Sequence, residues 1–341
     1  MPPEQARLLA TISADAMRGH LAFLASDALE GRGTPSRGLD ITAEYIAAQF
    51  RATGLEPLGD DGYFQTADWR KVAPPRVRDK FADAPEPLLV RNVVGVLRGS
   101  DPELAKTYIL VTAHHDHLGV REGKGDDPIY NGANDNGSGT TSVIELARAF
   151  AAQPERPKRS IVFMTVFGEE HGLVGSRYYG ANPLVPVAAT VANINIEQVG
   201  RTDDSEGPQV RAAAITGADY SEVGDVLRKA GGLTGVNITK HPVNSDRYFA
   251  FSDNQALADL GVPAHTISVA YAFPDYHGAA DTWDKIDYAN MAEIDRTLAL
   301  AILMIANNPQ APRWNEANPK AAKYVEAARV LHGGGAATGS P

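Results

Sequence analysis

The sequence predicts an α/β fold: a mixed, largely parallel central sheet flanked by helices on both faces. Three observations predict it. Short β-rich runs alternate with helical segments along most of the 341 residues. Two runs, at 108–113 and 161–167, are almost continuously apolar, as strands buried on both faces are. Acids and histidines stand where several runs end, and open α/β sheets bind ligands beyond the carboxyl ends of their strands.

Residues 3–54 read as helical. Leu21, Leu24 and Leu29, then Ile41, Tyr45, Ile46 and Phe50, recur at helical spacing around a charged, Gly-rich loop at 26–38. Residues 66–91 hold four prolines and mixed charge, and read as an irregular excursion. Beyond them, strands are expected at 93–97, 108–113, 161–167, 191–196, 209–216, 236–241 and 264–270. Helices are expected at 138–150, 219–230, 253–260, 288–306 and 316–331. No internal repeat is visible. The reading is one catalytic domain over 1–332 and a small, polar, disordered tail at 333–341.

Composition narrows the function. With 43% hydrophobic and 22% charged residues, the chain is an ordinary globular sequence. A net charge of −10 and the lack of a basic run argue against nucleic-acid and anionic-membrane partners. No Cys means no disulfide and no thiolate metal ligand. No apolar stretch reaches the ~18–20 residues that cross a bilayer, and M-P-P-E-Q-A-R lacks the basic and apolar regions of a signal peptide.

Five segments carry the chemistry. They are His114 in A-H-H-D-H (113–117), Asp135 in N-G-A-N-D-N-G-S-G (131–139), Glu169 and Glu170 in F-G-E-E-H-G (167–172), Glu197 in N-I-N-I-E-Q-V-G (193–200) and His277 in P-D-Y-H-G (274–278). Imidazole and carboxylate are what zinc takes where no thiolate is offered. Four carboxylates and two histidines at one sheet edge suffice for two ions and leave one carboxylate as a base. Of the adjacent glutamates, one can bind metal while its neighbour, its pKa raised by burial and mutual repulsion, acts on water. Asp116 is placed to accept the other ring N–H of His114. His115 reads as a wall residue and His117 as part of the turn D-H-L-G. Glu197 reads as a ligand or as an acid paired with Arg201, and Asp281 as a partner of His277 or a helix N-cap.

In this order and context, the segments resemble the family of co-catalytic di-zinc aminopeptidases, related to glutaminyl cyclases and glutamate carboxypeptidase-like proteins. The resemblance also takes in H-L-A-F-L-A-S-D-A-L-E-G-R-G-T (20–34), S-D-N-Q-A-L-A-D-L-G-V-P-A (252–264) and Y-H-G-A-A-D-T-W-D (276–284), and spans residues 20–305. It implies the zinc-exopeptidase, phosphorylase/hydrolase-like fold and two Zn²⁺ per chain. Asp135 would bridge them, with His114 and Glu197 on one and Glu170 and His277 on the other. Glu169 would be the general base, assisted by Asp116, acting on a metal-bridged water to hydrolyse the N-terminal bond of a peptide with a free N-terminus. A non-proline cis peptide at Asp135–Asn136 is also implied.

Many family aminopeptidases carry Asp where this chain has Glu197, and many insert a protease-associated domain where only residues 66–91 stand here. Tyr248, Phe249, Phe251, Phe273 and Tyr276 are candidates for the substrate pocket. The same family leaves two alternatives open: a glutaminyl-cyclase-like transferase with a single zinc, and a carboxypeptidase or dipeptidase with Arg247 near the substrate carboxylate. It also implies a secreted or periplasmic location, and the chain itself leaves a cytoplasmic one open.

Overall fold

The runs that read as doubly buried are so because helices cover both of their faces. The structure, a computed structural model, describes residues 1–333 except 82, 85–86 and 122–125; the expected disorder of 333–341 thus falls, but for Gly333, outside the described residues. Its main sheet has nine strands: β1 (Glu56–Pro57), β2 (Phe64–Asp68), β3 (Leu89–Leu97), β4 (Tyr108–His114), β5 (Ser160–Val166), β6 (Thr190–Ile196), β7 (Ala212–Ile215), β8 (Asn237–Thr239) and β9 (Ala264–Ser268). The order is β1–β3–β5–β4–β6–β9–β7–β8, with β2 also on β3. The central four, β5, β4, β6 and β9, are mutually parallel. Antiparallel pairs enter where β3 joins β5 and where β7 joins β9. The expected mixed, largely parallel sheet is therefore borne out.

Eight helices have eight or more residues among those described: α1 (Pro3–Thr11), α2 (Ala14–Leu24), α3 (Arg37–Ala52), α4 (Gly139–Ala151), α5 (Val174–Ala181), α6 (Val223–Thr234), α7 (Tyr288–Asn307) and α8 (Ala322–Leu331). Alternation along each strand sorts its side chains between two cores. Ile109, Val111, Ala113, Phe163 and Ile194 join residues of α1, α2, α3, α4, α6 and α7. Leu110, Val162, Met164 and Val166 join Tyr179 of α5 and Tyr324 of α8 on the other face. No helix among the described residues is long and apolar enough to cross a membrane.

The excursion at 66–91 is ordered where described. Its strand β2 pairs with β3, and short helical turns follow at Trp69–Val72 and Pro75–Arg78. Trp69 is fully buried and packs with Phe167 and Val174, which flank the two glutamates in sequence. The prolines break regular elements there, yet one large aromatic supplies enough apolar surface to dock the segment.

Between α4 and α7 lies one uncompensated acid. Asp295 is fully buried, and neither of its oxygens has a hydrogen-bond partner, although Ser142 stands beside it. Burial, reinforced by Glu145, raises its pKa well above the carboxylate range against the opposing pull of Ser142 and Arg296. The folded state therefore prefers the protonated form. Stability is lost as pH rises from the ordinary value of 3.8 through the raised one. Asp295→Asn should raise the melting temperature at pH 7.5 by roughly 2–4 °C, the shift expected for ~1 kcal/mol in a sizeable domain. The gap should close towards pH 4. Melting curves across that range check this, and a gap independent of pH would clear the carboxyl of the effect.

Candidate metal centre

Four parallel strands deliver the chemistry to one edge. His114 is the last residue of β4, Glu197 directly follows β6, and Glu169 and Glu170 follow β5 after one turn. Asp135 lies between β4 and α4, and His277 lies in the loop after β9.

The Asn- and Gly-rich composition around Asp135 has a structural reason. Asn134 Oδ1 accepts the N–H groups of Gly200 and Arg201. Asn136 accepts from Gly139 and Gln198 and donates to the Ile196 carbonyl. Two amide side chains thus fasten the Asp135 loop to the Glu197 loop. From the other side, Asp281 accepts the backbone N–H groups of Asn134 and Asp135 at 3.0 and 3.1 Å. The Asp135–Asn136 peptide is cis. Gly132, at φ +58°, sits where a Cβ would meet the His117 ring at 2.4 Å, so only glycine lets that imidazole in.

Asp135 ends at the centre of the site with its two oxygens turned to different partners. Oδ1 is 3.4 Å from Nε2 of His114, and Oδ2 is 3.1 Å from Nε2 of His277. His277 also lies 3.5 Å from Glu170 Oε2. Ligand atoms of His114, Asp135 and Glu197 all lie within 4.8 Å of one another, as do those of His117, Asp135 and Glu170. Glu169 belongs to neither triplet. Its Oε2 is 3.9 Å from His114 Nε2, and its N–H is held by Asp116 Oδ1 at 3.1 Å.

The cluster calls for positive charge. Burial alone would lower the pKa of His114, but Glu169, Asp116 and Asp135 raise it well above its ordinary value. Burial pushes the Asp135 carboxyl up, yet the adjacent imidazoles of His114 and His277 outweigh this and hold it below the usual range. Glu169 and Glu197 are both pushed up, chiefly by burial, with neighbouring carboxylates adding to it.

Several residues take places that spacing could not give. Asp116 meets His114 Nδ1 mainly through its backbone carbonyl, at 3.1 Å, with the carboxylate at 3.5 Å; that carboxylate also takes the Thr34 hydroxyl. Arg201 pairs with Asp203 and Asp275 rather than Glu197, which takes the Ser252 hydroxyl. Asp281 supports the Asp135 loop instead of His277. Tyr248, Phe251 and Tyr276 line a cavity of about 560 Å³ over the acids. Phe249 and Phe273 do not. Phe249 is buried among Tyr220, His265, Trp314 and Tyr324, because one residue along a helical turn swings a side chain by about 100–120°. Phe273 lies under Arg201 and against Tyr276. Arg247 is exposed over Tyr248 and is not part of the lining; Arg76 and Arg177 are.

Two contributors escape a reading by residue type. His117 brings Nδ1 to 3.0 Å from Glu170 Oε1, and neither of its ring nitrogens meets the geometry of a hydrogen bond. Arg32, fully buried, donates to the carbonyls of Leu24, His115, Asn131 and Gly132, which ties three loops together. Burial lowers its pKa to about 10, with Asp116, Asp281, Asp135 and Glu170 opposing, so it stays a cation beneath the acids. The only sequence signal for Arg32 was its place in G-R-G-T (31–34).

The donor set fits zinc. His114 Nε2, His117 Nδ1 and Glu170 Oε1 are buried without a partner, which is costly unless something binds them. All are oxygen or imidazole nitrogen, the ligands zinc accepts.

Comparison with known proteins agrees. Residues 92–302 match the model of peptidase family M28. Over 321 residues the chain is 34% identical to a "Probable zinc metalloprotease" of Pyricularia oryzae, covering 81% of this chain and 60% of that one. Fungal relatives of that description match the chain over 42–62% of their own length. An aminopeptidase from Aneurinibacillus sp. strain AM-1 superposes with a TM-score of 0.64 at 18% identity, covering 92% of this chain and 97% of that one. A Porphyromonas gingivalis glutaminyl cyclase does so at 0.63 and 20%, covering 85% and 97%. At these identities the two structures speak for the fold. The protein has a zinc-exopeptidase-type α/β architecture, and the chain belongs to peptidase family M28.

Asp281→Asn should weaken zinc binding about 10–100-fold, the usual cost of losing a partner that orients a ligand. Competition with a chromophoric chelator measures this. Chelation of the wild type should lower its melting temperature, since ions that bind only the folded state stabilise it.

Proposed function

We propose that the chain is a zinc-dependent aminopeptidase that hydrolyses the N-terminal bond of peptides. The observation that carries this reading is the Asp135 carboxylate divided between His114 and His277, with Glu169 beside it and outside both ligand triplets. Asp135, His114 and Glu197 would hold one zinc ion, and Asp135, Glu170 and His277 a second. Bound zinc lowers the pKa of water and polarises the scissile carbonyl.

The chain's own residues do the rest. Glu169 carries a pKa raised mainly by burial, which suits a carboxylate that takes a proton from the attacking water and returns it to the leaving amine. Asp116 fixes the Glu169 backbone and so aims its side chain. The free amino terminus of the substrate faces the acids of the cavity floor. The first side chain rests against Tyr248, Phe251 and Tyr276.

Glu169→Gln should lower kcat on amino-acid p-nitroanilides by about 10²–10⁴-fold, the usual contribution of a general base, while zinc content by elemental analysis stays unchanged. Turnover retained in that variant would remove Glu169 from the mechanism. Peptides with an acetylated N-terminus should not be cleaved.

One observation favours a narrower substrate class. Arg76 and Arg177 line the same cavity, and neither guanidinium is engaged in a hydrogen bond or ion pair among the described residues. They can meet a substrate carboxylate, as a dipeptide would present. Leu-Gly should then have a higher kcat/KM than Leu-Gly-amide, and Arg177→Gln should narrow the difference. Equal values in the wild type would set this second reading aside.

A further inference from the structure

The structure assigns the end of the cavity beside β9 to a first side chain that is uncharged and forms hydrogen bonds, with Gln198 and Ser268 as the residues that select it. Asparagine, glutamine, serine and threonine carry side chains of this class. The inference rests on the aminopeptidase reading above.

The sheet order divides the cavity into two ends. β5 lies on one side of β4, while β6, β9 and β7 follow in turn on the other. Gly172, Leu173 and Arg177 come after β5 and line one end. The other end is lined by Gln198, two residues beyond β6, by Thr216, directly after β7, and by Ser268, the last residue of β9. Tyr248 stacks on Tyr271, three residues past Ser268, with ring centroids 5.4 Å apart. The aromatic wall against which the first side chain rests therefore belongs to this second end.

Hydrogen-bonding capacity is left unused there. The Gln198 backbone is held from both sides: its N–H donates to Asn136 Oδ1 and its carbonyl accepts the Val269 N–H at 3.2 Å. Between these bonds φ is +54°, a region that residues other than glycine rarely occupy. The side chain so placed is 8% exposed and lines the cavity. Its Oε1 is fully buried, and neither amide atom has a hydrogen-bond partner among the described residues. Ser268, also buried, leaves its hydroxyl unpaired in the same sense. Thr216 accepts the Thr266 N–H at 3.0 Å and passes its own proton to no acceptor among the described residues.

One amide and two hydroxyls thus offer donors and acceptors without charge. An aliphatic side chain closing over this end would leave them unpaired, whereas an amide or hydroxyl completes their hydrogen bonds. Pockets of this kind reject an isostere lacking the polar group far more strongly than apolar pockets reject one that gains it. A carboxylate would meet Glu197, the residue before Gln198. The acids of the cavity are committed to zinc and to proton transfer, so a cationic side chain gains no partner.

Near-isosteric pairs of p-nitroanilides test this on the zinc-loaded protein: threonyl against valyl, and asparaginyl against leucyl. In each pair kcat/KM should favour the polar member by about ten- to a hundred-fold. Gln198→Met, which keeps the length of the side chain and removes the amide, should bring both ratios close to one, and Ser268→Ala should lower them. Ratios of one or less in the wild type, or wild-type ratios retained in Gln198→Met, would overturn the inference. Should Gln198→Met fail to fold, Ser268→Ala and the wild-type ratios decide. Absence of turnover on every p-nitroanilide would defeat the aminopeptidase reading separately. Calorimetric affinities of asparagine hydroxamate and leucine hydroxamate would then still judge the pocket: tighter binding of the first supports the inference, and equal or weaker binding refutes it.

Discussion

The rest of the structure depends on confining carboxylates at a density that water would ordinarily be needed to support. Asp135, Glu169, Glu170 and Glu197 line one cavity, and Asp116, Asp253 and Asp281 are buried behind it. Like charges removed from solvent repel strongly, and such groups persist only when protonated, paired or bound to cations. Arg32 supplies one fixed positive charge from beneath, without touching a carboxylate. The raised basicity of His114 reports the same deficit. A centre of this composition is assembled for divalent cations, as its family membership requires.

The scaffold meets this demand through direction rather than through any single strong contact. Parallel strands end together, so residues far apart in sequence arrive on one side of the sheet. The loops that follow are then fastened crosswise. Asn134 and Asn136 join the Asp135 loop to the Glu197 loop, Asp281 clamps the same loop from the His277 side, and Asp116 ties His114 to Glu169. None of these supporting groups belongs to a ligand triplet, yet each fixes the backbone that aims one. This separation leaves His114 Nε2, His117 Nδ1 and Glu170 Oε1 without hydrogen-bond partners among the described residues.

Much of the architecture was legible because it rests on short-range pattern. Continuous apolar runs at 108–113 and 161–167 identified the central strands, and Gly and Ser at 137–139 marked the start of α4. Strand limits drifted where the pattern thinned: the run at 209–216 forms a strand only over Ala212–Ile215. The prolines of 66–91 concealed a docked segment, because what orders it is the burial of Trp69 against Phe167, a contact between distant residues. Tyr248 and Phe249 are equivalent by composition, but one lines the cavity and the other packs against Trp314. Likewise His115 and His117 occupy one short run, and only His117 faces two carboxylates.

By itself the sequence determined which chemistry is available: no thiolate, several acids and histidines at strand ends, and a hydrophobic alternation that leaves few folds open. Those are properties of residue type and spacing, and they survive without coordinates. Tertiary structure alone decided how the set is shared out. Which oxygen of Asp135 meets which imidazole, why Asp281 serves a loop and not a histidine, and that His117 lies beside Glu170 are all fixed by where separate loops cross. Such crossings depend on backbone direction over more than a hundred residues, and no local pattern encodes them.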